Sequence, residues 1–447
     1  MNVLDTICAP ITVRGESSVA LIRISGHSAL SAAQAVFSSK KPLSDYPGYS
    51  IVPGYLIDPE GRRLDRCMAF VFRAPHSFTG EDTIELSYHG SSVITDTVSD
   101  LLLHNGIRGA LPGEFTRRAF MNGKMTLTEA EAVIDIIEAR SSVVLDLAEH
   151  NNSGDLDKKL TEYSQKLLEI FSQLNLAIDF DEEGLGHTDW EDIKKKLNDI
   201  ASVLYADLDD SNRALREKRG VSVVITGAPN VGKSTLMNAL LGKERVLVSD
   251  IPGTTRDYIG DELVLNGHLV RLYDSAGIRD TDDRLESLGI EKAKGIINEA
   301  DVVIYLYDNN NSLESDVVAA YTKAGCVVIP ICNKCDQISE ISDENIHISA
   351  KTGFNISLVK IKISEAVSSL TMVMRHNGVF MTERQHDYCS RVYAKVTEAV
   401  RLCESDKREE IISGVVRAAI EDMDILSGKK VTEAMLESIF SRFCIGK

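Results

Sequence analysis

Lys233 and Ser234 close the octapeptide Gly227-Ala228-Pro229-Asn230-Val231-Gly232-Lys233-Ser234. The spacing G-x-x-x-x-G-K-S is that of a phosphate-binding loop. Its chemistry would be capture of a polyphosphate. Backbone N–H groups would cradle the phosphates, the Lys233 amine would reach the β- and γ-phosphates, and the Ser234 hydroxyl would take magnesium. Asn230, Val231, Gly232 and Thr235 fill out this contact set. The β-branched run 221–225 before the loop predicts a buried strand, and 235–241 after it predicts the first turns of a helix.

Further residue groups follow in the order a GTP-hydrolysing domain requires. Ser249-Asp250-Ile251-Pro252-Gly253-Thr254-Thr255 offers hydroxyls and carbonyls for magnesium and the γ-phosphate, and reads as a switch loop. Asp274, ahead of Ser275-Ala276-Gly277, ends an apolar strand, as a Walker-B carboxylate would. In Asn333-Lys334-Cys335-Asp336 the last carboxylate can accept two hydrogen bonds from the guanine N1–H and 2-amino group; adenine offers no such pair. Ser349-Ala350-Lys351 would close over the base. Each group is weak alone, but together, each at a strand end, they predict GTP binding. Where Ras-like enzymes carry a water-orienting glutamine, this chain has Ile278, which cannot hydrogen-bond. Glu286, on a helix predicted over 284–295, is a candidate replacement, though by itself it reads as an exposed helical glutamate.

These groups need elements to position them. A chain of 447 residues predicts two to four domains. Residues 1–118 alternate strand-like runs (19–24, 67–72, 83–88) with helix-like ones (27–37, 91–104) and read as a compact α+β domain. From Leu127 the apolar spacing becomes helical. That texture fills 119–216 and returns in 376–447. The simplest architecture is therefore a discontinuous all-α domain into which an α/β P-loop GTPase domain, 217–375, is inserted. Strand-like runs 263–265 and 269–272 around Asn266-Gly267 predict a hairpin that delivers Asp274. The acidic run 179–183 reads as a solvated helix end or loop, and the charged run 213–219 as a solvated linker.

Bulk composition narrows the class. A formal net charge of −18 argues against non-specific adhesion to nucleic acid. It leaves room for RNA on a local basic face. Eight scattered cysteines suit reduced thiols in a cytosol. The Cys332/Cys335 pair has C-x-x-C spacing, but Asn333-Lys334 between them belongs to the guanine motif. No secretory signal or membrane-length apolar run is evident, so a cytoplasmic location is expected.

Beyond the nucleotide motifs, the chain resembles the MnmE (TrmE) family of tRNA-modification GTPases over its whole length. The resemblance is carried by Arg23-Ile24-Ser25-Gly26, by Ser77-Phe78-Thr79-Gly80-Glu81-Asp82-Thr83-Ile84-Glu85, by the stretch from Pro112-Gly113-Glu114-Phe115 to Asn122-Gly123-Lys124, and by the terminal Phe443-Cys444-Ile445-Gly446-Lys447. It implies a 1–118 domain that binds tetrahydrofolate, as a 5-formyl or methylene derivative, through Arg23, Glu85, Lys124 and Lys447, and that forms a homodimer. It implies work with a flavoprotein partner, MnmG, which carries the FAD. The product would be a carboxymethylaminomethyl or aminomethyl group on C5 of the wobble uridine of tRNA. It further implies potassium held by Asn230, Ser249, Ile251 and Thr254, magnesium held by Ser234 and Thr255, and a catalytic set of Lys233, Asn230 and Glu286. Glu286 would then position the attacking water. Cys444 joins the catalytic candidates as a reactive thiol, with a conformational or packing role as the alternative. Ser275 stands where the family carries threonine, and the turn 14–18 is less glycine-rich than the family's.

Two rival readings stay open at this level. One is an RNA-binding assembly GTPase without one-carbon chemistry, which the nucleotide motifs alone do not separate from the family reading. The other is a scaffold that binds GTP without hydrolysing it; Asn230, Lys233, Ser234, Asp274 and Glu286 argue against it.

Overall fold

The computed structural model describes residues 5–181, 189–242, 261–274, 300–309, 313–337, 345–371, 381–405 and 408–447. The chain divides into two compact units, one of residues 1–134, 152–188 and 408–447, the other of residues 135–151 and 189–407.

In the first unit, strands whose residues alternate between buried and open form a mixed sheet. Its strands are β1 (Ile7–Pro10), β2 (Ser17–Ser25), β3 (Phe37–Ser38), β4 (Ser50–Ile57), β5 (Arg63–Phe72), β6 (Thr83–Gly90) and β7 (Arg108–Gly109). The order is β3-β4-β5-β6-β2-β1-β7, antiparallel except for the β1–β7 pair. Ile22, Ile24, Val52, Ala69, Val71, Ile84 and Leu86 pack on one face with α1 (Ala29–Val36) and α2 (Ser92–His104). The opposite face leaves Val19, Ile51 and Met68 exposed. Next come α3 (Glu114–Met121), the start of α4 (Leu127–Glu138) and α6 (Asp155–Asp181); the end of α4 and nearly all of α5 (Ser142–Asn152) belong to the second unit. Leu127 and Ala130 pack with Leu436, Ile439, Phe440 and Phe443 from the C-terminal part of the chain.

The second unit holds α7 (Trp190–Arg219), β8 (Val221–Gly227), α8 (Lys233–Leu241), β9 (Asp261–Leu265), β10 (His268–Asp274), β11 (Val302–Tyr307), α9 (Ser315–Lys323), β12 (Val327–Cys332), β13 (Ile346–His347), α10 (Ile356–Thr371) and α11 (Glu383–Ser405). Its sheet order is β13-β12-β11-β8-β10-β9, parallel apart from the β9 edge. β11 is buried at every position because a central parallel strand is covered on both faces. On α7, Ile193, Leu197, Ile200 and Leu204 are buried at helical spacing, as are Cys389, Val392, Val396 and Cys403 on α11, and the two helices pack along each other. The chain ends in α12 (Glu409–Leu426) and α13 (Glu433–Phe440), which belong to the first unit. There α12 packs along α6, where the Ser413 hydroxyl donates to Asn175 Oδ1 at 2.9 Å.

One expectation is corrected. The charged run 213–219 is not a solvated linker. It forms the last turns of α7, with Ala214 and Leu215 buried and Glu217 wholly so. Lys218 pairs there with the buried Asp135. Charge alone predicted solvent; the run's partners lie far away in sequence and could not be read from it.

Candidate functional site

The loop between β8 and α8 is built by backbone constraints. Gly227 (φ +143) sits so close to β11 that a Cβ there would overlap the Leu306 carbonyl oxygen. Gly232 (φ +98) N-caps α8 where a Cβ would overlap the Asn333 amide. Gly227 therefore has no room for a side chain, and at Gly232 the positive φ and the Asn333 contact both strain any other residue. Asn230 also takes a positive φ, +61, a conformation asparagine tolerates better than most side chains. Lys233 lies across the loop, donating to the carbonyls of Gly227 (3.2 Å) and Ala228 (2.9 Å). The Ser234 hydroxyl donates to Asp274 Oδ2 at 2.6 Å, so β10 delivers its terminal carboxylate to the hydroxyl that opens α8.

The Asn333–Asp336 segment is tied to the same loop. Asn333 is buried; its amide donates to the Val231 carbonyl at 2.8 Å and its Oδ1 accepts from the Ala350 N–H at 3.0 Å. One side chain thus holds together the phosphate loop and the Ser349-Ala350-Lys351 segment. Lys334, at φ +64, pairs with the buried Asp308 at 2.7 Å. Asp336 stands exposed on a single 3₁₀ turn, Cys335–Gln337. Sequence reasoning assigned Asn333 and Lys334 to the base but missed Asn333's bracing role and the Asp308 partner. An acid directly after the wholly apolar β11 was the available signal. Cys332 and Cys335 are free and buried, and among the described residues no group of histidine, cysteine and carboxylate ligands suits a metal. Ser249, Asp250, Ile251, Pro252, Gly253, Thr254, Thr255, Ser275, Ala276, Gly277, Ile278 and Glu286 lie outside the described residues.

A second cluster forms in the seven-stranded sheet. On β2 and β6 the Arg23 Nε donates to Glu85 Oε1 at 2.8 Å. The Arg23 guanidinium carbon lies 4.9 Å from the Phe78 ring centroid and 5.4 Å from that of Phe115. Its Nη1 is buried and has no hydrogen-bond partner. The C-terminal tail returns to this place: Phe115 N–H donates to the Lys447 carbonyl at 3.1 Å, and a Cβ on Gly446 would come within 3.0 Å of Ile11 Cα. Cys444 is exposed, and its carbonyl accepts from Gly113 N–H. Lys124 donates to the Pro75 carbonyl at 3.0 Å, on the loop that carries Phe78.

Behind the aromatic wall lies an ionic layer the sequence did not announce. Arg118 bonds Asp5 (2.7 Å), Glu81 (3.2 Å) and the buried Glu114 (3.1 Å), and Arg108 bonds Asp5 and Glu114. The Arg108 guanidinium beside Asp5 holds that carboxyl below its usual range. Burial works to raise the Glu114 carboxyl, but hydrogen bonds from Arg108, Leu111 N–H and Arg118 outweigh it and hold it low. The Glu81 carboxylate also takes the Ser25 hydroxyl at 2.7 Å.

A glycine-strained loop between a parallel strand and a helix, a Ser–Asp corner and a guanine-type tetrad on one sheet make this a multidomain P-loop GTPase. The family model described as the GTP-binding protein TrmE N-terminus matches residues 6–124, and that of the MnmE helical domain matches residues 127–444. A tRNA modification GTPase MnmE from Clostridioides difficile is 35% identical over 463 aligned positions, covering 100% of each chain. Namesakes from Fervidobacterium nodosum (99% of this chain, 98% of that one) and Flavobacterium johnsoniae (99% of each) are each 36% identical. The chain belongs to the MnmE family of tRNA modification GTPases.

Proposed function

We propose that this protein is a potassium-activated GTPase that acts with the flavoprotein MnmG to modify C5 of the tRNA wobble uridine, using a tetrahydrofolate one-carbon donor. The single observation that carries the one-carbon half is Arg23. A guanidinium held by Glu85, walled by two aromatic rings and left with a buried, unpartnered Nη1 suits a planar ligand that brings an acceptor. Glu85 would take the donor edge of a pterin, and the Lys124 and Lys447 ammonium groups would take the glutamate tail. The folate, when bound, supplies the one-carbon unit; the protein's residues orient it and screen it from water.

On the nucleotide side, Lys233 would leave the loop carbonyls for the β- and γ-phosphates. Ser234, with Asp274 behind it, would ligate magnesium, joined by Thr255. Asn230, Ser249, Ile251 and Thr254 would hold potassium where charge develops between the phosphates, and Glu286 would orient water. Asp336 would select guanine. The exposed apolar face with Val19, Ile51 and Met68 supports homodimerisation through the 1–118 domain. The domain limits proposed are 1–118, 119–216 with 376–447, and 217–375. A cytoplasmic setting with reduced thiols completes the reading.

The test is GTP turnover in potassium against sodium at equal ionic strength, together with titration of 5-formyltetrahydrofolate. Stimulation of about 100-fold by potassium and folate binding weakened by about 10- to 100-fold in Arg23→Ala are expected. Equal rates in the two salts would overturn the cation mechanism. Absence of binding at millimolar folate would overturn the one-carbon chemistry.

A further inference from the structure

Nothing in nucleotide binding by itself requires the contact between Glu217 and His268. Glu217, in the last turn of α7, is wholly buried. Its Oε2 lies 2.8 Å from His268 Nδ1, and its Oε1 accepts from the Leu269 N–H at 3.2 Å and the Ser141 hydroxyl at 3.3 Å. A carboxylate can only accept, so Nδ1 carries the proton. A buried carboxylate is costly unless donors meet it, and here three do.

His268 opens β10 at the tip of the β9–β10 hairpin, and the rest of that tip is also held. His268 Nε2 lies 3.2 Å from the Ser368 hydroxyl, and Asn266 donates to the Ser364 hydroxyl at 2.8 Å, both on α10. At Gly267 (φ +87) a Cβ would come within 2.7 Å of Ser142 Oγ on α5. Helices α5, α7 and α10 thus grip one turn.

The far end of the same hairpin is the nucleotide site. β9 begins at Asp261, just after the sequence's switch loop, and β10 ends at Asp274, just before Ser275-Ala276-Gly277. Hydrogen-bonded ladders on both sides, to β8 and β9, make β10 move as one piece. A shift at His268 therefore reaches Asp274, six residues on or about 20 Å away at strand rise, and with it the Ser234 corner.

We propose that Glu217 and His268 are positioning residues for GTP hydrolysis. By fixing the hairpin tip to the helices they set where Asp274 meets the nucleotide and its magnesium. Coupling of this kind is reciprocal, so what occupies the nucleotide site also loads the α7 contact. The proposal rests on the nucleotide-site reading above.

The experiment uses the full chain with His268→Leu, which removes the donor, and His268→Gln, which keeps an N–H. Two quantities are read: release of a fluorescent mant-GDP as magnesium is varied, and GTP turnover per nucleotide-binding site. In His268→Leu the magnesium midpoint should rise and turnover per site fall by about three- to tenfold, with KM for GTP held within about twofold, and His268→Gln should restore most of both. Should His268→Leu fail to fold, the Ser364→Ala/Ser368→Ala double variant leaves Glu217 paired and should show a shift of about two- to threefold in the same direction. Unchanged midpoint and turnover per site, with only a lower melting temperature, would make the contact a structural brace and overturn the proposal. A magnesium-independent release in the unsubstituted protein would overturn the nucleotide-site reading, and this proposal with it.

Discussion

The phosphate loop and the Arg23 cluster are built from opposite kinds of neighbour. In the loop, Lys233 reaches carbonyls five and six residues back, and the working parts are mostly backbone. In the Arg23 cluster, Glu85 comes from 62 residues away and Arg118 meets Asp5 across 113. The first arrangement has to be written contiguously because adjacent peptide groups form the cradle. The second needs only that a sheet and a chain end meet, so its residues can be scattered. A contiguous site tolerates loss of a side chain without losing shape; an assembled one shares its residues with the fold.

Substitutions should separate the two. Lys233→Ala should lower GTP turnover by about 1,000-fold, with circular dichroism and melting temperature unchanged, because only charge stabilisation is lost. A large drop in melting temperature would show that the loop too depends on its side chain. Arg118→Ala should act the other way, lowering stability of the first unit by about 3 kcal/mol in denaturant titrations, since it strips a partner from the buried Glu114 and from the half-buried Asp5 and Glu81. GTP turnover per folded molecule should stay near that of the unsubstituted protein.

Smaller effects sharpen the contrast. Arg23→Ala should weaken 5-formyltetrahydrofolate binding by about 10- to 100-fold in calorimetry while leaving potassium-stimulated hydrolysis intact. Acid should single out the assembled site. The folded Asp5 and Glu114 carboxyls are held below their usual values of 3.8 and 4.5. Their contribution is full above the ordinary carboxylate range and is lost as pH falls through the depressed folded values. Melting temperature should therefore drop between about pH 5 and pH 2, and Glu114→Gln should flatten part of that slope. An identical slope in the variant would place the acid sensitivity elsewhere.

The same contrast explains what could be read from the chain alone. The strand–loop–helix around Gly232, the hairpin at Asn266-Gly267 and the all-apolar β11 announce themselves because period and turn chemistry are local. The octapeptide 227–234 was legible for the same reason, whereas the switch-loop residues and Ser275-Ala276-Gly277 lie outside the described residues. Arg23, Glu85, Lys124 and Lys447 could be named only through resemblance, since each by itself is an ordinary charge. The ionic layer of Arg108, Glu114 and Arg118 went unread because its partners are set by tertiary packing. Glu217 misled in the same way: within a run of seven residues, 213–219, rich in charge, nothing local marks the one carboxylate that a histidine 51 residues later will cover.

The cysteines hold a practical consequence. Cys8, Cys67, Cys326, Cys332, Cys335, Cys389 and Cys403 are buried, and burial pushes the Cys67 and Cys389 thiols up to about 12 and Cys8 up to about 11. Cys444 alone of the eight is exposed. A maleimide dye added to the folded protein at neutral pH should therefore mark one position, three residues from the chain end, without any engineered cysteine-free background. The molecule comes with its own single attachment point for fluorescence, placed on the tail that meets the Phe115 backbone.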